Sequence, residues 1–215
     1  MALYYLVFDS AVLEQQIGPA LQASRRQRTF EPCRPIAAAL LSPEKAQERY
    51  WATRGDSLLD KVLRGLSFDR RFWKLLAGEL LFSAAAEIPE LQVPGETLCR
   101  LLAPEPRNED LPARERFAPI HQACFGTRHL CFGPHCYRPD HAGYNDARDV
   151  SRLSDYLAAQ RPEAWSVGDL AHLSDIANDE ERAEELEFAR YAFPDFQAMY
   201  QRASGRGQTI VCERL

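Results

Sequence analysis

The residues that decide the fold are the last ones, Phe193-Pro-Asp-Phe-Gln-Ala-Met-Tyr-Gln-Arg-Ala203-Ser-Gly205-Arg-Gly207-Gln-Thr209-Ile-Val-Cys212. Pro194 suits the first turn of a helix, where its missing N–H costs nothing, and Phe196, Met199 and Ala203 then recur at helical spacing. Gly205 reads as the cap that closes this helix. Thr209-Ile-Val-Cys212 is a compact β-type run. Its natural companion is at the other end of the chain, where Ala2-Leu-Tyr-Tyr-Leu-Val-Phe8 is continuously apolar, as in a strand buried on both faces. Two short apolar strands at opposite ends of a helical chain predict one shared sheet, and so an α+β fold, mostly helical, with a small sheet.

Between these ends the helical patterns dominate. Ser10 is placed to cap a helix from Ala11, with Gly18-Pro19 breaking or restarting it. Ser42-Pro43-Glu44 predicts a helix to about Arg54, and Asp56 a second one carrying Leu58, Leu59, Val62, Leu63 and Leu66. Phe68 to Leu81, Asp149 to Gln160 and Glu180 to Ala192 have further apolar faces, the last ending before the helix that Pro194 opens. The stretch Pro89–Pro119 holds six of the fourteen prolines and reads as an irregular insertion with one helical turn at Glu96–Leu102. At 215 residues the chain is expected to form a single domain.

The ending quoted above resembles the C-terminus of the YfbM-like family, small bacterial proteins of unknown function. The opening Met1–Phe8 strand followed by a helix is similar too. So are Leu58-Leu-Asp-Lys-Val-Leu-Arg-Gly-Leu66 with Leu75-Leu-Ala-Gly-Glu79, and the turn Phe132-Gly-Pro-His-Cys-Tyr137, where the family has Tyr-Gly-Pro-Ala-Arg-Tyr. The resemblance implies an α+β fold and a bacterial host, and it implies no activity. His135-Cys136 stands where the family has Ala-Arg, so any role of that arginine does not carry over.

Composition narrows the function classes. A net charge of −5 argues against a general nucleic-acid binder, which needs excess Lys and Arg to release counterions from phosphates. No apolar run reaches the length of a membrane span, and the first ten residues lack the basic leader of a signal peptide. A cytoplasmic location with all six cysteines reduced is therefore expected.

Four of the five histidines and three of the six cysteines lie between His121 and His141. His121, Cys124, His129, Cys131, His135 and Cys136 are the candidate zinc ligands, but no Cys-x-x-Cys pair is present and adjacent residues such as His135 and Cys136 rarely bind one ion. A Cys–His dyad using Cys124, Cys131 or Cys136 is a further possibility that spacing alone does not decide. There is no Gly-x-Ser-x-Gly elbow, and Ser204-Gly-Arg-Gly207 lacks the pattern of a phosphate loop. No cofactor is expected, zinc being the alternative.

The densest acidic run is Asp175, Asp179, Glu180, Glu181, Glu184, Glu185 and Glu187. Such a run is ordinarily a solvated helix face, and its functional reading is a steering surface for a basic partner. Trp165, with Asp179, Glu180, Glu181, Glu184 and Glu185, forms the expected partner-binding set, Trp165 supplying an exposed aromatic anchor. The leading expectation is a non-enzymatic protein-binding module, in one version an immunity-type inhibitor of a basic protein. The alternative is a zinc-binding module or metal-dependent hydrolase built on the Cys/His cluster.

Overall fold

A computed structural model describes residues 3–41, 57–103, 118–138, 140–170 and 178–214. The two terminal strands are indeed neighbours. β1 (Leu3–Asp9) pairs antiparallel with β6 (Gln208–Arg214), in a register that sets Tyr5 opposite Cys212 and Val7 opposite Ile210. β6 also pairs with β5 (Ala142–Asn145), which pairs with β2 (Arg128–His129), giving a four-stranded antiparallel sheet of order β1-β6-β5-β2. A separate hairpin joins β3 (Cys131–Phe132) to β4 (His135–Cys136) through Gly133-Pro134.

The unbroken apolar run of β1 is explained by what lies on its two sides. Leu3, Tyr5 and Val7 face one core, with Ile210 and Cys212 of β6, while Leu6 and Phe8 face another with Val211. Side chains alternate across a strand, so a strand covered on both faces cannot alternate in polarity. Only Tyr4 and the terminal Asp9 are exposed.

The second core is built by α1 (Gly18–Gln27), α2 (Arg34–Leu40), α3 (Leu58–Leu63) and α4 (Arg70–Ala84), with the β3–β4 hairpin laid against them. Trp73 is its anchor. Its indole N–H donates to the Leu21 carbonyl at 3.0 Å, and its ring meets Phe132 edge-on at 6.3 Å. Asp69 caps α4, with Oδ1 accepting from the Arg71 N–H. Ser57 caps α3, while Asp56 and the helix expected from Ser42 to Arg54 lie outside the described residues.

The first core is built by α5 (Gly95–Leu102), α6 (Pro119–Phe125), α7 (Ala147–Ala158) and α8 (Asp179–Gly205). α5 covers the helical turn expected at Glu96–Leu102, with Leu98 and Cys99 on its buried face. Two expectations are corrected here. Glu180–Ala192 and the helix assigned to Pro194 are one continuous α8 with Pro194 inside it. A proline within a helix removes one hydrogen bond and costs about 3 kcal/mol. Phe193, Phe196, Met199 and Tyr200 are all buried on either side of it, and their burial holds the helix together across that position. Ser10, finally, caps nothing. Its hydroxyl donates to the Gly207 carbonyl at 3.1 Å and shares a 2.9 Å hydrogen bond with Thr209, tying the first helical turns to the chain's end.

Candidate functional site

The Cys/His segment does not converge on one point. His121 and Cys124 share a face of α6, His129 is exposed on β2, and His141 is exposed in the turn before β5. His135 packs edge-on against Trp73, with ring centroids 6.2 Å apart. Cys131 and Cys136 are bonded to each other as a disulfide, which corrects the expectation of six reduced thiols. The antiparallel register places those two residues directly opposite on a two-residue turn, so both side chains leave the hairpin on the same face. A sulfur in a disulfide is no thiolate ligand. Among the described residues no three His, Cys, Asp or Glu side chains form a group able to hold a metal ion. The hairpin's part is structural, as a cover over Trp73.

His121 and Cys124 instead meet a residue that the spacing did not single out, Cys99 of α5. Gly95 lies one turn before Cys99. A Cβ there would stand 2.6 Å from Leu3 Cδ1 and at an ordinary contact distance, 3.5 Å, from the Cβ of Cys124, so the close approach that glycine permits is to Leu3 of β1. Cys124 and the His121 imidazole are the groups of α6 that act on the Cys99 thiol. Cys124 draws the Cys99 pKa down to about 6, against the opposing effect of burial, and His121 adds to the lowering. Cys124, fully buried, is pushed well above its ordinary value by Cys99 and by burial. Cys99 is 5% exposed and Cys124 not at all, so Cys99 is the solvent-side member of the pair. His121 Nδ1 is buried without a hydrogen-bond partner.

The remaining thiols differ. Cys33 is pushed up to about 11 and Cys212 to about 12, each chiefly by burial. Cys212 lies next to the same site, its Sγ 3.7 Å from the Ala123 carbonyl. Nothing in the sequence pointed to Cys99, which is 22 residues from its histidine and reaches it only through helix packing.

The acidic run forms the first half of α8, capped by Asn178, whose Oδ1 accepts from the Glu181 N–H at 2.9 Å. Its members have different tasks. Asp179 pairs with Arg182 at 2.7 Å and Glu187 with Arg190 at 2.8 Å. Glu185 turns inward and accepts from the Thr97 hydroxyl at 2.6 Å, binding α8 to α5. Glu180, Glu181, Glu184 and Glu187 are exposed, and Asp175 lies outside the described residues.

Trp165 is 8% exposed and packs edge-on against Phe193 at 5.1 Å, so the expected surface anchor belongs to the core. Arg190 holds its backbone in place by donating to the carbonyls of Pro162 and Trp165. α8 itself carries two aromatic residues that reach solvent. Tyr191 is 80% exposed and Phe188 39% exposed. Glu184, Glu187, Phe188 and Tyr191 are spaced at i, i+3, i+4 and i+7 and so share one face. That spacing was readable, but aromatic residues in a helix are ordinarily credited to its buried side.

No family model matches the chain, and no curated protein does. Among solved structures the chain is similar to YfbM of Escherichia coli, a protein of unknown function, with 13% identity and a TM-score of 0.47 over 99% of this chain and 98% of that one. No residue role passes from that protein to this chain. No helix among the described residues is long and apolar enough to cross a membrane.

Proposed function

We propose that this chain is a non-enzymatic protein-binding module that meets a basic partner through the exposed face of the first half of α8. The observation that supports the reading is Tyr191, which stands 80% exposed in line with Glu184, Glu187 and Phe188. A large aromatic side chain at a helix surface buries little on folding, and aromatic anchors surrounded by polar residues are the usual centre of a contact. The surrounding carboxylates would accelerate encounter with a cationic surface. An immunity-type role, in which the acidic face covers a basic toxin, is the concrete version of this reading. We take its setting to be the cytoplasm of a bacterium, in keeping with the sequence resemblance noted above.

The test is association with a partner captured from the native host. The variant Glu180→Lys/Glu184→Lys/Tyr191→Ala should associate roughly ten-fold more slowly at low salt, with a flatter salt dependence, because it loses both steering charge and anchor. Wild-type rates for that variant would overturn the reading. Glu185 is left unchanged, since its bond to Thr97 serves the fold.

A further inference from the structure

We propose that Cys131 and Cys136 are a reversible thiol–disulfide couple, entered by small thiols at Cys131, whose state sets how often the β3–β4 hairpin lifts off Trp73. The couple is independent of the α8 surface and rests on the geometry of the hairpin. Its two sulfurs are bonded to each other across one rung of the ladder, with Cys131 directly opposite Cys136. Side chains alternate along a strand, so this rung faces the other way from the rungs beside it. On one side of it Phe132 and His135 turn inward to the Trp73 ring, at 6.3 and 6.2 Å. On the other side Leu130 and Tyr137 are buried. The disulfide is thereby left on the outer face, where Cys131 is exposed and Cys136 half-buried.

A bond in that place holds no core together. It clamps a ladder of two residues per strand, which is marginal by itself. Just beneath it the Leu130 carbonyl accepts from the Tyr137 N–H at 2.7 Å. Phe132 and His135 keep the hairpin on Trp73 in both redox states, and the bond changes the frequency of local opening. Exposed disulfides exchange readily with thiols in solution, and in a cytosol such bonds are usually transient and redox-responsive. The other four cysteines are free and buried, which leaves this pair as the sulfur chemistry that solution reaches first.

In reduction the thiolate of a small thiol, such as glutathione, attacks the exposed Cys131 Sγ. A new S–S bond forms, the Cys131–Cys136 bond breaks, and Cys136 leaves as a thiolate that takes up the proton the attacking thiol gave up. A second thiolate then attacks the outer sulfur of the mixed disulfide, and Cys131 departs and is protonated in the same way. Two external thiols are oxidised to one disulfide, and the protein disulfide is reduced to two thiols. An external disulfide closes the bond by the same steps in reverse.

The experiment incubates the full folded chain in buffers of graded reduced-to-oxidised glutathione and quenches with acid at early and late times. The hairpin peptide is then mapped by mass spectrometry, and its hydrogen exchange is measured in both states. The bond should open and close without denaturant. Early mixed disulfide should lie on Cys131 at roughly ten-fold its level on Cys136. Hairpin amides should exchange roughly ten-fold faster in the reduced chain, with those of β6 unchanged. Cys131→Ser/Cys136→Ser should exchange like the reduced chain in either buffer. Cys131→Ala/Cys136→Ala takes its place if circular dichroism shows the serine variant to be misfolded. The proposal fails if the bond does not form in oxidised buffer, if it opens only in denaturant, if glutathione is found chiefly on Cys136, or if hairpin exchange is the same in both states.

Discussion

Tyr200 Oη stands 3.0 Å from Nδ2 of Asn145, and this contact completes a buried polar network that joins α8 to the sheet and to α6. Asn145 Nδ2 also donates to the Gln122 carbonyl at 2.9 Å, and its Oδ1 accepts from the Thr127 N–H at 3.0 Å. Tyr200 in turn donates to the Ala123 carbonyl at 2.8 Å. Asn145 and Tyr200 are wholly buried, so loss of either leaves groups in the interior that water cannot satisfy.

Asn145→Ala should therefore cost about 2–3 kcal/mol, because it removes three buried hydrogen bonds at once, to the Thr127 N–H, the Gln122 carbonyl and Tyr200 Oη. The first two groups keep their backbone partners, the Tyr144 carbonyl and the Gly126 N–H. Tyr200→Phe should cost about 1 kcal/mol, since it removes a hydroxyl and keeps the ring packing. Urea unfolding with an unchanged slope measures both. Equal losses for the two would mean that the network is not centred on Asn145.

The exposed and buried aromatics of α8 should separate in the same measurement. Tyr191→Ala should change stability by no more than about 0.5 kcal/mol, as expected for a surface position. Phe193→Ala, two residues away and against Trp165, should cost about 3–5 kcal/mol. A large loss for Tyr191→Ala would show that this ring serves the fold and would remove it from the proposed contact.

The terminal strands were legible because a strand covered on both faces leaves an unbroken apolar run at each end of the chain. Helix existence was legible wherever apolar spacing was strong, as at Trp73, Leu76 and Leu80 of α4. The extent of α8 was not, since Pro194 signals a helix start locally and only the burial of Phe193 and Phe196 overrides it. Trp165 was misplaced for the opposite reason. A tryptophan beside Arg161-Pro162-Glu163 looks exposed until Arg190 folds that turn back onto α8. The Cys/His cluster drew attention by density, yet density in sequence is not convergence in space, and the thiol that meets His121 comes from another helix.

The Cys131–Cys136 bond should be dispensable. It closes a loop of only a few residues, for which chain entropy predicts about 2 kcal/mol. Phe132 and His135 also keep the hairpin on Trp73 without it. Cys131→Ser/Cys136→Ser should fold, with a midpoint lowered by no more than that energy. Failure to fold would give the bond a larger part than covering Trp73.

The reactivity of Cys99 should follow an unusual pH profile. Alkylation by iodoacetamide tracks the thiolate, so its rate at Cys99 should rise through a midpoint near the folded value of about 6 and level off above about pH 7. An ordinary thiol, with a pKa of about 8.5, would still be accelerating there. In stability terms the lowered Cys99 favours the fold above its unfolded value and loses that contribution as pH falls through about 6. The opposite shift of Cys124 offsets this, so reactivity is the cleaner readout. The groups facing the thiol are Glu96 on its own helix, His121 and Cys124 on α6, Tyr5 on β1 and Tyr156 on α7. Cys124 makes the largest contribution, so Cys124→Ala should move the midpoint upward furthest. His121→Ala should move it in the same direction by less, and Glu96→Gln should move it slightly down. A midpoint near 8.5 in the unmodified chain, the value of an ordinary free thiol, would show that Cys124 and His121 do not act on Cys99 in solution.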